Sequence, residues 1–461
     1  MVAREKIEKE SLYVPSNEIT FHPHSFADDA GRLFRWDDKL WRGIRPEKAS
    51  FFSKLFSDGT IQDLVELGLL VESETGNLVV DGYGIVISHR SLPFVSYPNE
   101  WCAQMLKDAA LNIIELAIAL AERGLSLRDA HPWNVLFDWS RPVYVDLTSI
   151  VSGDRSPYWP AYDEFCRFCY YPLILMAHGQ ERIARSLLPE YDGILRSELA
   201  AVMRGSLLSS FVVSRLFNRG VNTLRSFIRS GNGHSMLPFL TQVKNSIEAL
   251  HLPSYKSEHR KRLLDALSSA RFQTSGTTLM LAIRKLLDRL GPRTMLDLSR
   301  GPIWTSIVPA CMGLNVVSAD ADVARITALY EIARSKKLSI LPLVIDFLKP
   351  TPAMGYSNHY SIAANERLKC DLVLALGLIN KLHFENHLSF DLIAEGLSSF
   401  SKRWLVVGCD NCEENNARQA VNHLSDQFSL PDFKDSLLKH FRTVNVVSSD
   451  PNWGVLLLCE K

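Results

Sequence analysis

The chain has 461 residues, 46% hydrophobic and 22% charged, so it is too long for one hydrophobic core and too apolar for intrinsic disorder. Its 51 basic and 51 acidic side chains cancel, which argues against nucleic acid or another polyanion as the main partner. Residues 1–15 lack the apolar stretch of a secretory signal, and no apolar run reaches the length of a membrane span. These features predict a cytoplasmic protein of two or three domains.

The eight cysteines are predicted to be reduced, and they include two pairs with C-x-x-C spacing. Cys166 and Cys169 lie in an amphipathic helical pattern, whereas Cys409 and Cys412 follow a strand-like run. Structural zinc sites normally place such pairs on knuckle-like turns. Buried thiols are therefore favoured over a joint zinc site.

In chain order, residues 1–30 are polar and show no regular pattern, which predicts an irregular segment. Residues 31–44, GRLFRWDDKLWRGI, alternate on either side of an Asp-Asp turn and predict a hairpin. A helical pattern over residues 48–70 and later strand-like runs complete a small α+β layer. Residues 100–123 have the spacing of a long core-facing helix, and residues 160–290 are mostly helical in pattern.

The stretch LSLRDAHPWNVLF, followed by PVYVD, resembles the catalytic and metal-binding loops of protein kinases and aminoglycoside phosphotransferases. The resemblance implies that Asp129 receives a proton from the acceptor hydroxyl and that Asn134 and Asp146 hold the magnesium of Mg-ATP. His131 also fits the small-molecule kinase pattern and is a candidate substrate contact.

This loop departs from the kinase pattern, because Leu127 replaces the usual leading His and Leu147 follows Asp146 where Phe is usual. No Gly-rich phosphate loop precedes residue 45, and Lys39 and Arg42 are the candidate cations for phosphate. The alternative reading is a retained scaffold in which the polar loop residues only fix a buried loop.

The chain divides into three predicted parts: an irregular segment 1–30, a kinase-like α+β and helical domain 31–270, and an α/β domain 275–461. Polar stretches at 229–235 and 251–261 predict a linker and a second break. In the last part, five strand-like runs alternate with helical patterns, and two final strands have no helix between them. This predicts a Rossmann-like parallel sheet with a terminal antiparallel hairpin, the arrangement of class I methyltransferases.

The first strand-to-helix turn of the α/β domain is the predicted contact with the methionine part of S-adenosylmethionine. The family pattern there is an acidic residue followed by Gly-x-Gly-x-Gly. Asp297 and Gly301 match it, while Ser299 and Ile303 stand where glycines are usual. Ser299 is nevertheless retained as a candidate cofactor contact.

Polar residues follow three later strands at the spacing of successive strand ends. Asp320 is predicted to bind the ribose hydroxyls, with Asp322 as a near neighbour, and Asp346 to recognise adenine. Each of these acids is equally typical of a helix N-cap. Asn380 and His383, after the fourth strand, are candidates for the acceptor side.

The segments YPNEWCAQMLKDAAL, LSLRDAHPWNVLF, PVYVDLTSI, ILPLVIDFLKPTPAMGYSN and CDLVLALGLINKL resemble the NoeA family of host-specific nodulation proteins over most of the chain. The resemblance implies a bacterial class I methyltransferase that uses S-adenosylmethionine to modify a glycan or nodulation-signal acceptor. Two alternatives stay open: a non-catalytic regulatory or interaction protein derived from such an enzyme, and an Mg-ATP-dependent phosphotransferase using Asp129.

Overall fold

The computed structural model describes residues 11–22, 25, 28–153, 158–203, 236–253, 277–409, 428–451 and 453–461. The predicted linker at 229–235, most of the predicted break at 251–261, the domain boundary near 270–275 and Cys412 lie outside these residues. Among the described residues, no helix is both long and apolar enough to cross a bilayer.

The N-terminal half begins with a five-stranded antiparallel sheet in the order β2-β3-β4-β7-β5. Its strands are β2 (Thr20–Phe21), β3 (Gly31–Trp36), β4 (Lys39–Ile44), β5 (Ser73–Thr75) and β7 (Ile85–His89). The turn between β3 and β4 has positive φ at both central residues, 49° at Asp37 and 56° at Asp38. Such turns match the twist of a two-stranded hairpin. The predicted hairpin is confirmed.

Two stretches of the segment predicted to be irregular form strands instead. Strand β1 (Leu12–Val14) pairs in parallel with β6 (Leu78–Val80), and β2 pairs with β3. Val14 is buried in a small apolar cluster with residues of the sheet. Because β1 has only three residues and its partner lies far along the chain, its own pattern gave no strand signal.

The helices of this half largely follow the predicted patterns. They are α1 (Pro46–Ser57), α2 (Thr60–Glu66), α3 (Ala103–Ala121), α4 (Tyr162–Phe165), α5 (Tyr171–Ala177), α6 (Glu181–Leu187), α7 (Arg196–Met203) and α8 (Leu237–Glu248). The helix predicted over 48–70 is broken before α2 because Gly59 has a left-handed φ of 84°. A π-helical turn, Cys166–Tyr170, joins α4 to α5.

Two short strand pairs shape the segment 125–146, whose sequence resembles kinase catalytic and metal-binding loops and which we call the kinase-like loop. They are β8 (Leu125–Leu127) with β11 (Ile150–Ser152), and β9 (Val135–Asp138) with β10 (Arg141–Tyr144). Both pairs are antiparallel: β8 and β11 pair at the two ends of residues 128–149, and the β9–β10 hairpin lies within that stretch. The two pairs together fix the polar residues of the loop.

The C-terminal half contains a seven-stranded sheet in the order β14-β13-β12-β15-β16-β18-β17. The strands are β12 (Thr294–Asp297), β13 (Asn315–Asp320), β14 (Ile340–Val344), β15 (Cys370–Ala375), β16 (Ser401–Cys409), β17 (Thr443–Asp450) and β18 (Gly454–Glu460). The first five are parallel, and β18 is antiparallel to both of its neighbours. The predicted α/β sheet with a terminal antiparallel pair is confirmed.

The described helices of this half are α9 (Thr278–Leu290), α10 (Trp304–Cys311), α11 (Val323–Lys336), α12 (Ala364–Arg367), α13 (Phe390–Phe400) and α14 (Leu430–Leu438). A π-helical turn, Lys381–Glu385, follows β15. Parallel strands joined by helices bring all their carboxyl ends to one edge of the sheet. The acids that were predicted as cofactor contacts lie at this edge.

The two halves share one hydrophobic core. A single cluster of buried side chains runs from α1 and α3 through the α/β sheet to β18. Hydrogen bonds between side chains also join the two halves. Asp108 of α3 accepts hydrogen bonds from Tyr330 and Arg334 of α11. Burying this shared surface ties the position of each half to the other.

Candidate functional site

A cavity of about 260 Å³ lies at the carboxyl edge of the seven-stranded sheet, and we call it the C-terminal cavity. It is lined by Leu298, Arg300, Ala319, Asp320, Ala321, Asp322, Ile345, Asp346, Phe347, Leu348, Leu378, Lys381 and Leu382. These residues lie at the carboxyl ends of β12, β13, β14 and β15 or follow them in the chain. The edge where ligands bind in doubly wound sheets therefore carries a formed, mixed polar and apolar pocket.

Asp320 ends β13 and presents its carboxylate beside the cavity. Its Oδ1 accepts a hydrogen bond from the Asp322 N–H at 2.9 Å, and its Oδ2 lies 3.3 Å from the Arg325 guanidinium. Burial raises the pKa of Asp320, an effect that the Asp322 N–H and Arg325 only partly oppose. A carboxylate has about four lone-pair directions, so Asp320 retains acceptor capacity for a ligand.

Asp322, the near neighbour of Asp320, is an N-cap. Its Oδ1 accepts from the N–H groups of Ala324 and Arg325 at 2.9 and 3.2 Å, at the start of α11. The N-cap reading is therefore confirmed for this residue, although it also lines the cavity.

Asp346 lies just beyond β14 and also lines the C-terminal cavity. Its Oδ1 accepts a hydrogen bond from the Leu348 N–H at 3.0 Å, which tightens the turn. Phe347, between Asp346 and Leu348 in the sequence, contributes an aromatic ring to the lining of the same cavity. The structure thus brings Asp320 and Asp346 to one cavity.

Asp297 and Ser299 lie beneath the cavity and do not line it. Both side chains are buried: Asp297 accepts hydrogen bonds from Thr305 and Ser306 of α10, and Ser299 Oγ accepts the Leu376 N–H at 3.1 Å. Their direct contact with a cofactor stays a prediction. What they do is hold the turn after β12 against β15 and α10.

Gly301 has a φ of 127°, a backbone conformation that favours glycine, and a Cβ placed there would meet open space. Glycine is therefore favoured at this position by the backbone conformation. Lack of space for a side chain is not the reason, because a Cβ would contact nothing. Its carbonyl accepts a hydrogen bond from Arg325 Nε at 3.2 Å.

Arg325, in the first turn of α11, joins the acids of two strand ends. Its guanidinium lies 3.4 Å from Asp297 Oδ2 and 3.3 Å from Asp320 Oδ2, and its side chain is only 7% exposed. It also donates to Thr305 Oγ1 at 3.3 Å. No sequence pattern identifies Arg325 as a site residue, because only the packing of α11 over the strand ends brings it to the site.

The candidates after the fourth strand separate in the structure. His383 stacks on Phe390 at 4.2 Å and its Nδ1 lies 2.9 Å from the Leu388 carbonyl, and neither His383 nor Asn380 lines the C-terminal cavity. Lys381 lies between them in sequence and does line the cavity, as does Arg300 from the turn after β12. These two cations had no motif by which the sequence could identify them.

In the N-terminal half, the kinase-like loop brings Asp129 and Asp146 together. Ser149 Oγ lies 2.8 Å from Asp129 Oδ2 and 2.5 Å from Asp146 Oδ2, so its single hydrogen serves one carboxylate at a time. Asn134 joins the same group through Tyr144, whose hydroxyl accepts from the Asn134 amide and donates to the Asp129 carbonyl.

Among the described residues, His131 Nδ1 is buried without a hydrogen bond, and its ring packs near Phe168 at 5.9 Å. His131 nevertheless lies near enough to Asp146 to contribute to the lowered pKa of that carboxyl. Arg42 of β4 joins the network directly, since its Nη1 lies 3.1 Å from Asp146 and 2.6 Å from Asp28. Burial raises the pKa of Asp146, but Arg42 and the nearby hydroxyls outweigh burial and hold that pKa below its ordinary value. Asp146 is therefore an ionised carboxylate paired with a protein cation.

Among the described residues, no group of three or more His, Cys, Asp or Glu side chains is arranged to hold a metal ion. Asn134 and Asp146 remain predicted magnesium ligands only if the kinase-like site is active. Cys166, Cys169 and Cys409 are buried. Burial raises the pKa of Cys166 to about 12, as the buried-thiol reading predicts.

Comparison with known proteins gives one similar curated sequence, and no protein-family profile matches the chain. The chain is 24% identical over 383 residues to the nodulation protein NoeA of Rhizobium meliloti (strain 1021), covering 79% of this chain and 78% of NoeA. The resemblance to NoeA that the sequence motifs indicate is confirmed.

Solved structures with local similarity include the bifunctional kinase-methyltransferase WbdD and TehB from Haemophilus influenzae. WbdD is 15% identical with a TM-score of 0.29, over 39% of this chain and 38% of its own. TehB is 16% identical with a TM-score of 0.30, over 41% of this chain and 65% of its own. The chain thus spans well under half of WbdD.

Proposed function

We propose that this chain is a class I methyltransferase-like protein that binds S-adenosylmethionine in the C-terminal cavity. One observation carries the proposal: Asp320 and Asp346, from the ends of the second and third strands, line the same cavity in a sheet whose order is that of class I methyltransferases. The similarity to NoeA over most of the chain supports it.

The residues present fit such a cofactor by their chemistry. Asp320 has acceptors for two ribose hydroxyls, Phe347 and Asp346 offer a ring and a carboxylate to adenine, and Leu378 and Leu382 add apolar wall. Arg300 and Lys381 supply positive charge for the amino-acid carboxylate. When bound, the cofactor supplies a methyl group on a positively charged sulfur, and these side chains orient it and exclude water.

For the acceptor, we propose a glycan or a nodulation signal, in line with the similarity to a nodulation protein. Asn380, His383 and His131 remain the proposed acceptor contacts. The alternative is a non-catalytic regulatory or interaction protein, derived from such an enzyme, that has lost affinity for the cofactor. A tritiated-methyl transfer assay on bacterial surface and signal glycans, together with a binding titration, separates the two readings.

Calorimetric titration of the full chain with S-adenosylmethionine tests the proposal. Asp320→Ala removes an acceptor from a half-buried site and should weaken binding tenfold to a hundredfold, since such hydrogen bonds contribute about 1.5 to 3 kcal/mol. Asp391→Ala is the matched control, because Asp391 is an exposed acid on α13 outside the cavity. No binding by the wild-type chain, or equal binding by Asp320→Ala, would refute the proposal.

Phosphoryl transfer is the second candidate, favoured by the meeting of Asp129 and Asp146 at Ser149. The pairing of Asp146 with Arg42 opposes it, because a metal would have to compete with a buried guanidinium. If this site is active, Mg-ATP should raise the melting temperature by linkage and ATP without magnesium should not. No shift with millimolar Mg-ATP would leave the scaffold reading.

A further inference from the structure

A second cavity, of about 250 Å³, lies between the five-stranded sheet and the kinase-like loop, and we call it the N-terminal cavity. The sheet contributes Leu40, Arg42 and His89, and the opposite wall includes Asn134 and Asp146. Ile362 closes the cavity from the C-terminal half. It has no lining residue in common with the C-terminal cavity.

Strand register explains why the polar groups meet on one face of the sheet. Leu40 of β4 lies opposite His89 of β7, and Arg42 lies two residues further along β4. Directly paired residues and residues two apart share a face of a sheet. Arg42 and His89 therefore belong to the face that looks onto the kinase-like loop.

The His89 ring has a buried nitrogen, Nε2, that makes no hydrogen bond to any described residue. Ser73 Oγ lies 2.9 Å from the Val71 carbonyl and 2.8 Å from His89 Nδ1. When the single Ser73 hydrogen is donated to that carbonyl, Ser73 Oγ accepts from His89 Nδ1–H. His89 Nε2 then carries a lone pair, and it is buried without a hydrogen-bond partner among the described residues. Burial and then the nearby Arg42 lower the pKa of His89 to about 3, so the ring stays neutral.

Two carboxylates surround the single guanidinium of Arg42. Asp28 and Asp146 lie at 2.6 and 3.1 Å from its Nη1, and Thr148 Oγ1 lies between them, 2.7 Å from each carboxylate. A phosphate carries only acceptors and negative charge, so two carboxylates and a neutral imidazole acceptor disfavour it here.

Arg90, which also lines the cavity, is paired with Glu72 and Asp138, and Arg35 is exposed. Among the described lining residues, the buried groups left for a ligand are therefore the His89 Nε2 acceptor and the Arg42 Nε–H donor. Uncharged hydroxyl groups, which both donate and accept, can satisfy the two together.

We infer that the N-terminal cavity binds one neutral, hydroxyl-rich ring such as a pyranose sugar. A hydroxyl of the ring donates to His89 Nε2, and the rings of Tyr97 and Trp133, 5.3 Å apart, form an apolar wall for its C–H face. Satisfying a buried acceptor recovers the cost of leaving it unpaired. This site is separate from the proposed cofactor site, and its occupancy does not depend on methyl transfer.

Saturation-transfer-difference NMR on the full chain, without S-adenosylmethionine, tests the inference. The probes are D-glucose, D-galactose, D-mannose and N-acetyl-D-glucosamine, with glucose 6-phosphate and Mg-ATP as charged comparisons. At least one neutral sugar should show saturable transfer, and its phosphate ester should bind at least tenfold more weakly.

Two variants test the cavity through different lining residues. His89→Leu removes the acceptor, and Leu92→Trp fills space in the cavity while leaving His89 in place. Each should weaken sugar binding about tenfold or more, whereas His178→Leu, at an exposed histidine that lines neither cavity, should not. Absence of transfer from every neutral sugar, binding that survives both variants, or Mg-ATP binding that displaces the sugar would overturn the inference.

Discussion

Arg325 shows how one residue can hold two strand ends in a usable arrangement. Its guanidinium contacts Asp297, which is fully buried, and Asp320, which lines the C-terminal cavity. An ionised carboxylate buried without a cation is costly, and hydroxyl donors alone compensate it only in part. We infer that Arg325 sets both the stability of the turn and the direction of the Asp320 carboxylate.

Arg325→Met should therefore lower the free energy of unfolding by about 3 kcal/mol, because it strands the Asp297 carboxylate in the core. Urea denaturation followed by circular dichroism measures the change. Arg403→Met is the control, since Arg403 is 60% exposed and its ion pair with Glu460 should contribute less than about 1 kcal/mol. Equal losses in the two variants would contradict the role given to Arg325.

The sequence could predict the acids of the site but not the cations. Asp320 and Asp346 stand at the ends of strand patterns, and strand ends of a parallel sheet meet at one edge, so their convergence follows from local signals. Arg325, Arg300 and Lys381 carry no such signal. Their positions depend on how helices and turns pack over the sheet, which the order of residues alone does not reveal.

At the scale of elements, the strands of the seven-stranded sheet were readable because buried parallel strands are continuous apolar runs. The helix over 48–70 was misread as continuous, since its break rests on the backbone conformation of Gly59. Strand β1 was missed because three residues gain their structure only from pairing with β6. Local patterns thus determined the long elements, and tertiary contacts determined the short ones.

The start of α11 offers a test that separates capping from cofactor binding. Asp322→Ala removes the acceptor of two helix N–H groups and should cost about 1 kcal/mol of stability, whereas Asp322→Ser should restore most of it. Thermal denaturation gives the stabilities, and calorimetry gives the S-adenosylmethionine affinities. If the serine variant is stable but fails to bind, Asp322 contacts the cofactor directly and its role is not confined to the cap.

For the whole molecule, a buried ion pair between the halves is the central polar contact. Arg367 of α12 pairs with Glu100, and both side chains are at most 3% exposed. Arg367 also donates to the Val95 carbonyl at 2.6 Å and lies 4.5 Å over the Tyr97 ring. The Tyr97 hydroxyl in turn accepts the Ile362 N–H at 2.9 Å. These contacts fix the C-terminal half against the wall of the N-terminal cavity.

Replacing one partner of this ion pair should lower the free energy of unfolding more than replacing both partners. Arg367→Met leaves the Glu100 charge buried and should cost about 3 to 5 kcal/mol, while the double variant Glu100→Gln with Arg367→Met should cost less. Because one core spans both halves, calorimetric unfolding of the wild type should show a single transition. Two separate transitions, or additive losses in the double variant, would contradict this description of the interface.

The proposed cofactor site is tested most directly by a crystal structure of the full chain with S-adenosylhomocysteine. We expect electron density in the C-terminal cavity, with ribose oxygens within hydrogen-bond distance of Asp320 and the adenine ring beside Phe347 and Asp346. The amino-acid carboxylate should lie toward Arg300 and Lys381. Density for the ligand elsewhere, or none in this cavity at saturating concentration, would contradict the account.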